Sequence, residues 1–133
     1  MSAKKELILK RPDDCHLHLR DGLFLERTVK DAAQHFGRVV VMPNLVPPIV
    51  TVEQALLYRD RILQKIPSDK ALEPWMTLYL TEETEAQSIH QASETPFMAG
   101  VKWYPKGATT HSEKGVSSKP SSVILPLLFP NPL

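Results

Sequence analysis

At 133 residues, with 42% hydrophobic residues and a formal net charge of +1, the chain has the size and composition of one domain with a modest core. This balance excludes a disordered acidic chain and a basic nucleic-acid-binding one. A single cysteine allows no intramolecular disulfide framework; no secretory signal follows Met1-Ser2-Ala3-Lys4-Lys5, and no apolar stretch is long enough for a bilayer, so cytoplasm is the expected compartment, with no membrane partner.

In chain order, a short strand is expected over 6–10, flanked by solvated charges. Next comes Asp13-Asp14-Cys15-His16-Leu17-His18-Leu19-Arg20-Asp21, in which polar and apolar residues alternate over 14–20 with the period of a strand. His16, His18 and Arg20 then share one face, and Cys15, Leu17 and Leu19 the other. Two imidazoles at i and i+2 can bind one metal ion, and zinc suits neutral imidazole nitrogen. Cys15, on the opposite face, reads as a small packed hydrophobe.

Asp21-Gly22 breaks the strand. Over 23–36, Leu25, Val29, Ala32, Ala33 and Phe36 fall at helical spacing, and Gly37 stands where a C-cap is expected. Arg38-Val39-Val40-Val41-Met42 reads as a strand buried on both faces. The loop Pro43-Asn44-Leu45-Val46-Pro47-Pro48 is rigid. A second helix is expected from about Thr51, ending before Pro67, with Glu53 in its first turn. A third strand covers 75–80, and Thr81 is expected to cap an acidic helix running to about Ser93. A fourth strand covers 99–104, closed by Pro105.

Alternating strands and helices imply a parallel sheet with right-handed crossovers. No glycine-rich phosphate loop supports a nucleotide-binding fold. Arg20, Asn44, Thr81 and Lys102 fall at the C-terminal ends of successive strands, which form the catalytic face of a parallel barrel. Arg20 suits a bidentate grip on a carboxylate, with a salt bridge to Asp21 or Asp13 as the ordinary alternative. Asn44 offers both a donor and an acceptor, though asparagine also favours turns. Lys102 sits in an apolar strand where an unpartnered ammonium is costly, which admits a nucleophilic or modified amine, with a lysine snorkelling to the strand end as the ordinary alternative. His35 and His90 read as surface residues. His111, in a polar loop, is left outside the site.

The motifs Asp13-Asp14-Cys15-His16-Leu17-His18-Leu19-Arg20-Asp21-Gly22, Val41-Met42-Pro43-Asn44-Leu45 and Val101-Lys102-Trp103-Tyr104-Pro105, with Ala108-Thr109-Thr110, closely resemble the dihydroorotase family. The resemblance is to the shorter, single-function bacterial type of the amidohydrolase superfamily and covers residues 6–118. It implies a TIM-type (β/α)8 barrel with a two-zinc site. His16 and His18 match ligands of the more buried zinc. Lys102 matches a lysine whose carbon dioxide-derived carbamate bridges both metals. Arg20 and Asn44 match residues that hold the substrate carboxylate, and Thr109 and Thr110 match a loop that closes over the substrate. The implied reaction is reversible cyclisation of N-carbamoyl-L-aspartate to L-dihydroorotate in pyrimidine biosynthesis. The implied partner is this small molecule, with homodimers among full-length members.

Cys15 stands where the family commonly has an aromatic, and Trp103 where it often has a smaller aliphatic. From residue 119 the match ends in an apolar stretch carrying Pro126, Pro130 and Pro132, which forbid a continuous helix. A complete barrel takes about 250 residues. The expectation is therefore an N-terminal half barrel over 1–118 and a divergent tail over 119–133. The expected catalytic base lies downstream of the match, so the chain is expected to be truncated and inactive by itself. The alternatives are a non-catalytic metal-binding or partner-associating fragment, or a cyclic amidohydrolase acting on hydantoins or allantoin.

Overall fold

The apolar run Arg38–Val41 alternates in burial along its length, with Val39 and Val41 sealed from solvent, and forms strand β2 at the centre of a parallel sheet. The computed structural model describes residues 6–108 and 111–117. Its strands are β1 (Asp13–Leu17), β2 (Arg38–Val41), β3 (Glu73–Tyr79) and β4 (Met98–Lys102), hydrogen-bonded in the order β1-β2-β3-β4 and all parallel. Between them run α1 (Leu25–His35), α2 (Val52–Leu63) and α3 (Ala86–Glu94). Each strand is laid beside the last in the same direction. That winding suits a barrel, whereas a doubly wound sheet reverses its order part-way.

The core lies between the helices and one face of the sheet. Val29, Ala33, Ala55, Tyr58 and Ile62 from α1 and α2 meet Val39, Val41, Met76 and Leu78 from the strands. Alternation sends Thr77 and Tyr79 to the opposite face, and the Thr77 hydroxyl donates to the Val41 carbonyl at 2.6 Å.

Several expectations need correction. Residues 6–10 form no strand, and Leu7, Ile8 and Leu9 are exposed. Cys15 is exposed rather than packed, because β1 is an edge of this sheet with no neighbour among the described residues on its far side. A 3₁₀ turn, Gly22–Phe24, precedes α1. Gly37 does not cap that helix. Phe36 ends it in extended conformation, and Gly37 already belongs to the sheet: its N–H donates to Pro12 and its carbonyl accepts from Glu73. Thr81 caps no helix either. Its N–H is taken by the Thr84 hydroxyl at 2.8 Å, a local bond that makes a turn and delays α3 to Ala86. The fourth strand stops at Lys102, so Trp103 and Tyr104 lie beyond it.

The α2 start agrees with the sequence. Thr51 Oγ1 accepts from the Gln54 N–H and the Gln54 side chain returns to the Thr51 N–H, a reciprocal cap. Beyond β4 the chain doubles back, with Val116 N–H bonded to the Tyr104 carbonyl and Lys106 N–H to Val116. Gly115 permits this approach: a Cβ there would stand 2.3 Å from the Tyr104 carbonyl oxygen.

Candidate functional site

The C-terminal ends of β1, β2 and β4 carry the polar residues that the strand pattern singled out. The histidines reach this rim through an irregularity. Asp14 pairs with Val39 and Leu17 with Val41, so three residues of β1 advance against two of β2. One extra residue re-aims the side chains that follow, as bulges do. The expected alternation as far as Arg20 therefore ends at Leu17. Even so, the His16 and His18 rings come together, with centroids 5.3 Å apart and planes tilted by 53°.

Burial first, then the charges of Arg20, His16 and Lys102, hold His18 below the ordinary histidine pKa. A neutral imidazole is the form that ligates a metal. Lys102 is the last residue of β4 and is half-buried, not sealed inside an apolar strand, because β4 is the other edge of the sheet. Its Nζ lies 5.2 Å from the centroid of the Tyr104 ring, a cation–π contact. The two imidazoles fit a metal in donor type, whereas Lys102 as an ammonium offers it no lone pair. Among the described residues no three His, Cys, Asp or Glu side chains cluster, so His16 and His18 make no closed four-ligand site by themselves.

Arg20 and Asn44 line one cleft of about 600 Å³, together with Gln54, Arg61 and His111 over an apolar floor that includes Leu45 and Ile49. Arg20 has φ +61°, in the left-handed region, between buried Leu19 and a carbonyl that accepts the Tyr58 hydroxyl. The two acids that were its alternative partners are engaged elsewhere. Asp13 pairs with Arg38 at 2.6 Å and Asp21 with Arg61 at 2.7 Å. Arg20 is exposed, and its planar fork matches two carboxylate oxygens.

Asn44 is 3% exposed and accepts the Tyr104 hydroxyl at 3.1 Å. Tyr104 stacks on Tyr79 with centroids 5.1 Å apart, and the Tyr79 hydroxyl donates to the His111 carbonyl at 3.1 Å. Sequence reasoning missed these two tyrosines, and it set aside His111, which in fact lines the cleft. Only the position of Tyr104 inside the Val101–Pro105 motif hinted at a role. Thr81 sits beyond β3 in its own turn and does not line this cleft. Thr109 and Thr110 lie outside the described residues, as does the tail over 119–133. The rim thus has two parts, the group of His16, His18 and Lys102 and the cleft lined by Arg20 and Asn44, linked by the Arg20 charge acting on His18 and by Tyr104 between Asn44 and Lys102.

Comparison with known proteins gives one consistent answer. The chain is 53% identical to the dihydroorotase of Agrobacterium fabrum over 112 residues, covering 84% of this chain and 32% of that protein. It is 51% identical to the dihydroorotase of Coxiella burnetii over 134 residues, covering 94% and 38%. The crystal structure of Campylobacter jejuni dihydroorotase matches the fold with a TM-score of 0.74 at 40% identity, covering 83% of this chain and 31% of that one. Saccharomyces cerevisiae dihydroorotase in complex with 5-fluoroorotic acid matches with a TM-score of 0.69 at 32% identity, covering 78% and 28%. No family model matches. The chain spans about a third of the length of the curated relatives first matched, and its parallel sheet is the corresponding part of a barrel.

Proposed function

We propose that this chain, whose sequence and fold are those of part of a dihydroorotase, supplies metal-holding and carboxylate-holding groups for the reversible cyclisation of N-carbamoyl-L-aspartate to L-dihydroorotate. The observation that carries this reading is the meeting at one strand-end rim of His16, His18 and Lys102 with Arg20 and Asn44, in a chain about half identical to dihydroorotases. The relatives named above are all dihydroorotases, which favours this substrate over hydantoins or allantoin.

His16 and His18 are assigned as neutral nitrogen ligands to zinc, and Lys102, as its carbon dioxide-derived carbamate, as the anionic ligand that a dication requires. Zinc, when bound, supplies Lewis-acid polarisation of the carbonyl under attack. Arg20 grips the substrate carboxylate through two parallel N–H bonds, and Asn44 is assigned beside it by the family resemblance. Fixing that carboxylate orients the reacting carbonyl toward the metal side, converting binding into rate. Thr109 and Thr110 are assigned to the substrate by the family resemblance alone. Residues 1–118 form the half-barrel unit of this proposal, and 119–133 stand apart from it. No residue of this chain is assigned the role of base, so the isolated chain is expected to bind without turnover.

The test is dihydroorotate hydrolysis by the purified 133-residue chain with zinc and bicarbonate, alongside zinc calorimetry. The expected result is no turnover, with zinc binding that His16→Ala and His18→Ala each abolish. An isotherm unchanged in both variants would overturn the metal assignment. Turnover lost in His16→Ala would overturn the expectation of inactivity.

A further inference from the structure

Two side chains of α2 hold the segment that carries Arg20, and neither has a part in the chemistry assigned so far. Arg20 and Asp21 follow one another past the end of β1. The Arg20 carbonyl accepts the Tyr58 hydroxyl, and the Asp21 carboxylate accepts from Arg61 twice, from Nε at 3.2 Å and from Nη2 at 2.7 Å. Tyr58 and Arg61 stand at i and i+3 on α2 and so share one face of it. The Arg61 guanidinium lies 5.3 Å from the centroid of the Tyr58 ring. Tyr58 is sealed from solvent within the core. Packing alone would be served by a phenylalanine there. A buried hydroxyl needs a partner, and this one finds it in a backbone carbonyl 38 residues away in sequence.

That carbonyl belongs to a residue whose backbone needs holding. Arg20 is at φ +61°, a region that side chains with a Cβ disfavour, and a return to negative φ would swing its Cα–Cβ bond. On the preceding side, Leu19 is buried and its carbonyl accepts the Thr28 hydroxyl of α1 at 2.6 Å. On the following side, α2 holds the peptide between Arg20 and Asp21 by its carbonyl and by the next carboxylate. We propose that Tyr58 and Arg61 are positioning residues that together fix the left-handed turn at Arg20 and so keep its guanidinium on the cleft wall. This deepens the reading of Arg20 as the group that receives a carboxylate, and rests on it. Burial first, then the Asp21 charge, pushes the Tyr58 phenol well above its ordinary pKa, so it stays a protonated donor.

The test uses the full chain and two variants. Tyr58→Phe keeps the ring and removes only the hydroxyl, while Arg61→Lys keeps the charge and removes the planar fork. One readout is the NMR cross-peak between the Arg20 amide hydrogen and its own Hα, which is strong at positive φ because the two hydrogens then lie close together. The other is a titration with L-dihydroorotate. Each variant is expected to weaken the Arg20 cross-peak and to weaken binding about tenfold, the scale of one hydrogen bond. The amide resonances of Val39 and Val41 in β2 are expected to stay in place, which a general loss of structure would not allow. A full-strength Arg20 cross-peak in both variants overturns the proposal, and in one variant it removes that residue from it. Were Tyr58→Phe to unfold, Arg61→Lys decides. Arg20→Ala separates this proposal from the reading beneath it. If Arg20→Ala binds like wild type, or wild type does not bind, the carboxylate assignment fails, and the Arg20 cross-peak alone decides the role of Tyr58 and Arg61. If Arg20→Ala binds weakly, a lost cross-peak with full affinity in Tyr58→Phe and Arg61→Lys also overturns the proposal.

Discussion

Asp21 illustrates how one side chain serves the site by its choice of partner. Burial alone would push its carboxyl pKa up. The hydrogen bond from Arg61, with the Gly22 N–H and the Arg61 charge, outweighs burial and leaves it below the usual carboxylate range. A depressed folded pKa contributes stability that is present above the unfolded value, about 3.9, and is lost as pH falls through the folded one. The urea midpoint should therefore drop more between pH 5 and pH 3 in wild type than in Asp21→Asn. Equal drops would show that the pair contributes nothing to acid stability. At this scale the site was legible where a residue type announces itself: two histidines on one strand, an arginine and an asparagine at strand ends, a lysine in an apolar run. It was illegible where a role depends on contact between distant residues, as for Tyr104 on Asn44 or Tyr79 on His111.

Helices and strands were read better in kind than in extent. Four of the five expected strands and all three helices occur, since hydrophobic period and length carry that information, and the short strand expected over 6–10 does not. Their ends were set by hydrogen bonds that propensity does not weigh, such as the Thr84 hydroxyl delaying α3 and the β1 bulge that ends the expected alternation. The α2 start is the exception, because its signal is local. Thr51→Ala removes the acceptor for the Gln54 N–H and should cost about 1 kcal/mol of unfolding free energy, measured by urea denaturation. Gln54 also lines the cleft, so this cap fixes one wall of that cleft as well as the helix. A variant as stable as wild type would mean that packing, not the cap, sets where α2 begins.

For the molecule as a whole, the monotonic order β1-β2-β3-β4 places β1 and β4 at opposite edges, yet His18, just past the end of β1, and Lys102, the last residue of β4, still interact electrostatically. A ligand that joins the two edges therefore ties together the whole width of the sheet. Zinc should stabilise the chain by about 2.7 kcal/mol at a hundredfold excess over its Kd. Thermal unfolding with and without zinc would show this as a rise in Tm, absent in a His16→Ala, His18→Ala double variant. An equal rise in that variant would place the stabilising zinc elsewhere. Parallel winding was readable from the strand–helix alternation, whereas the exposure of Leu7, Ile8 and Leu9 was not, since an apolar triplet gives no hint of whether a neighbour covers it.

Arg20 occupies a backbone conformation that glycine adopts freely and a long side chain does not, at φ +61°. The residue proposed to grip the carboxylate is thus among those least suited to their own backbone. Arg20→Gly should fold more stably than Arg20→Ala by about 1 kcal/mol while losing the same grip on L-dihydroorotate, as urea denaturation and titration of both variants would show. Selection for foldability alone would favour glycine at this position. In the proposed role, an arginine there sets folding against function within one residue.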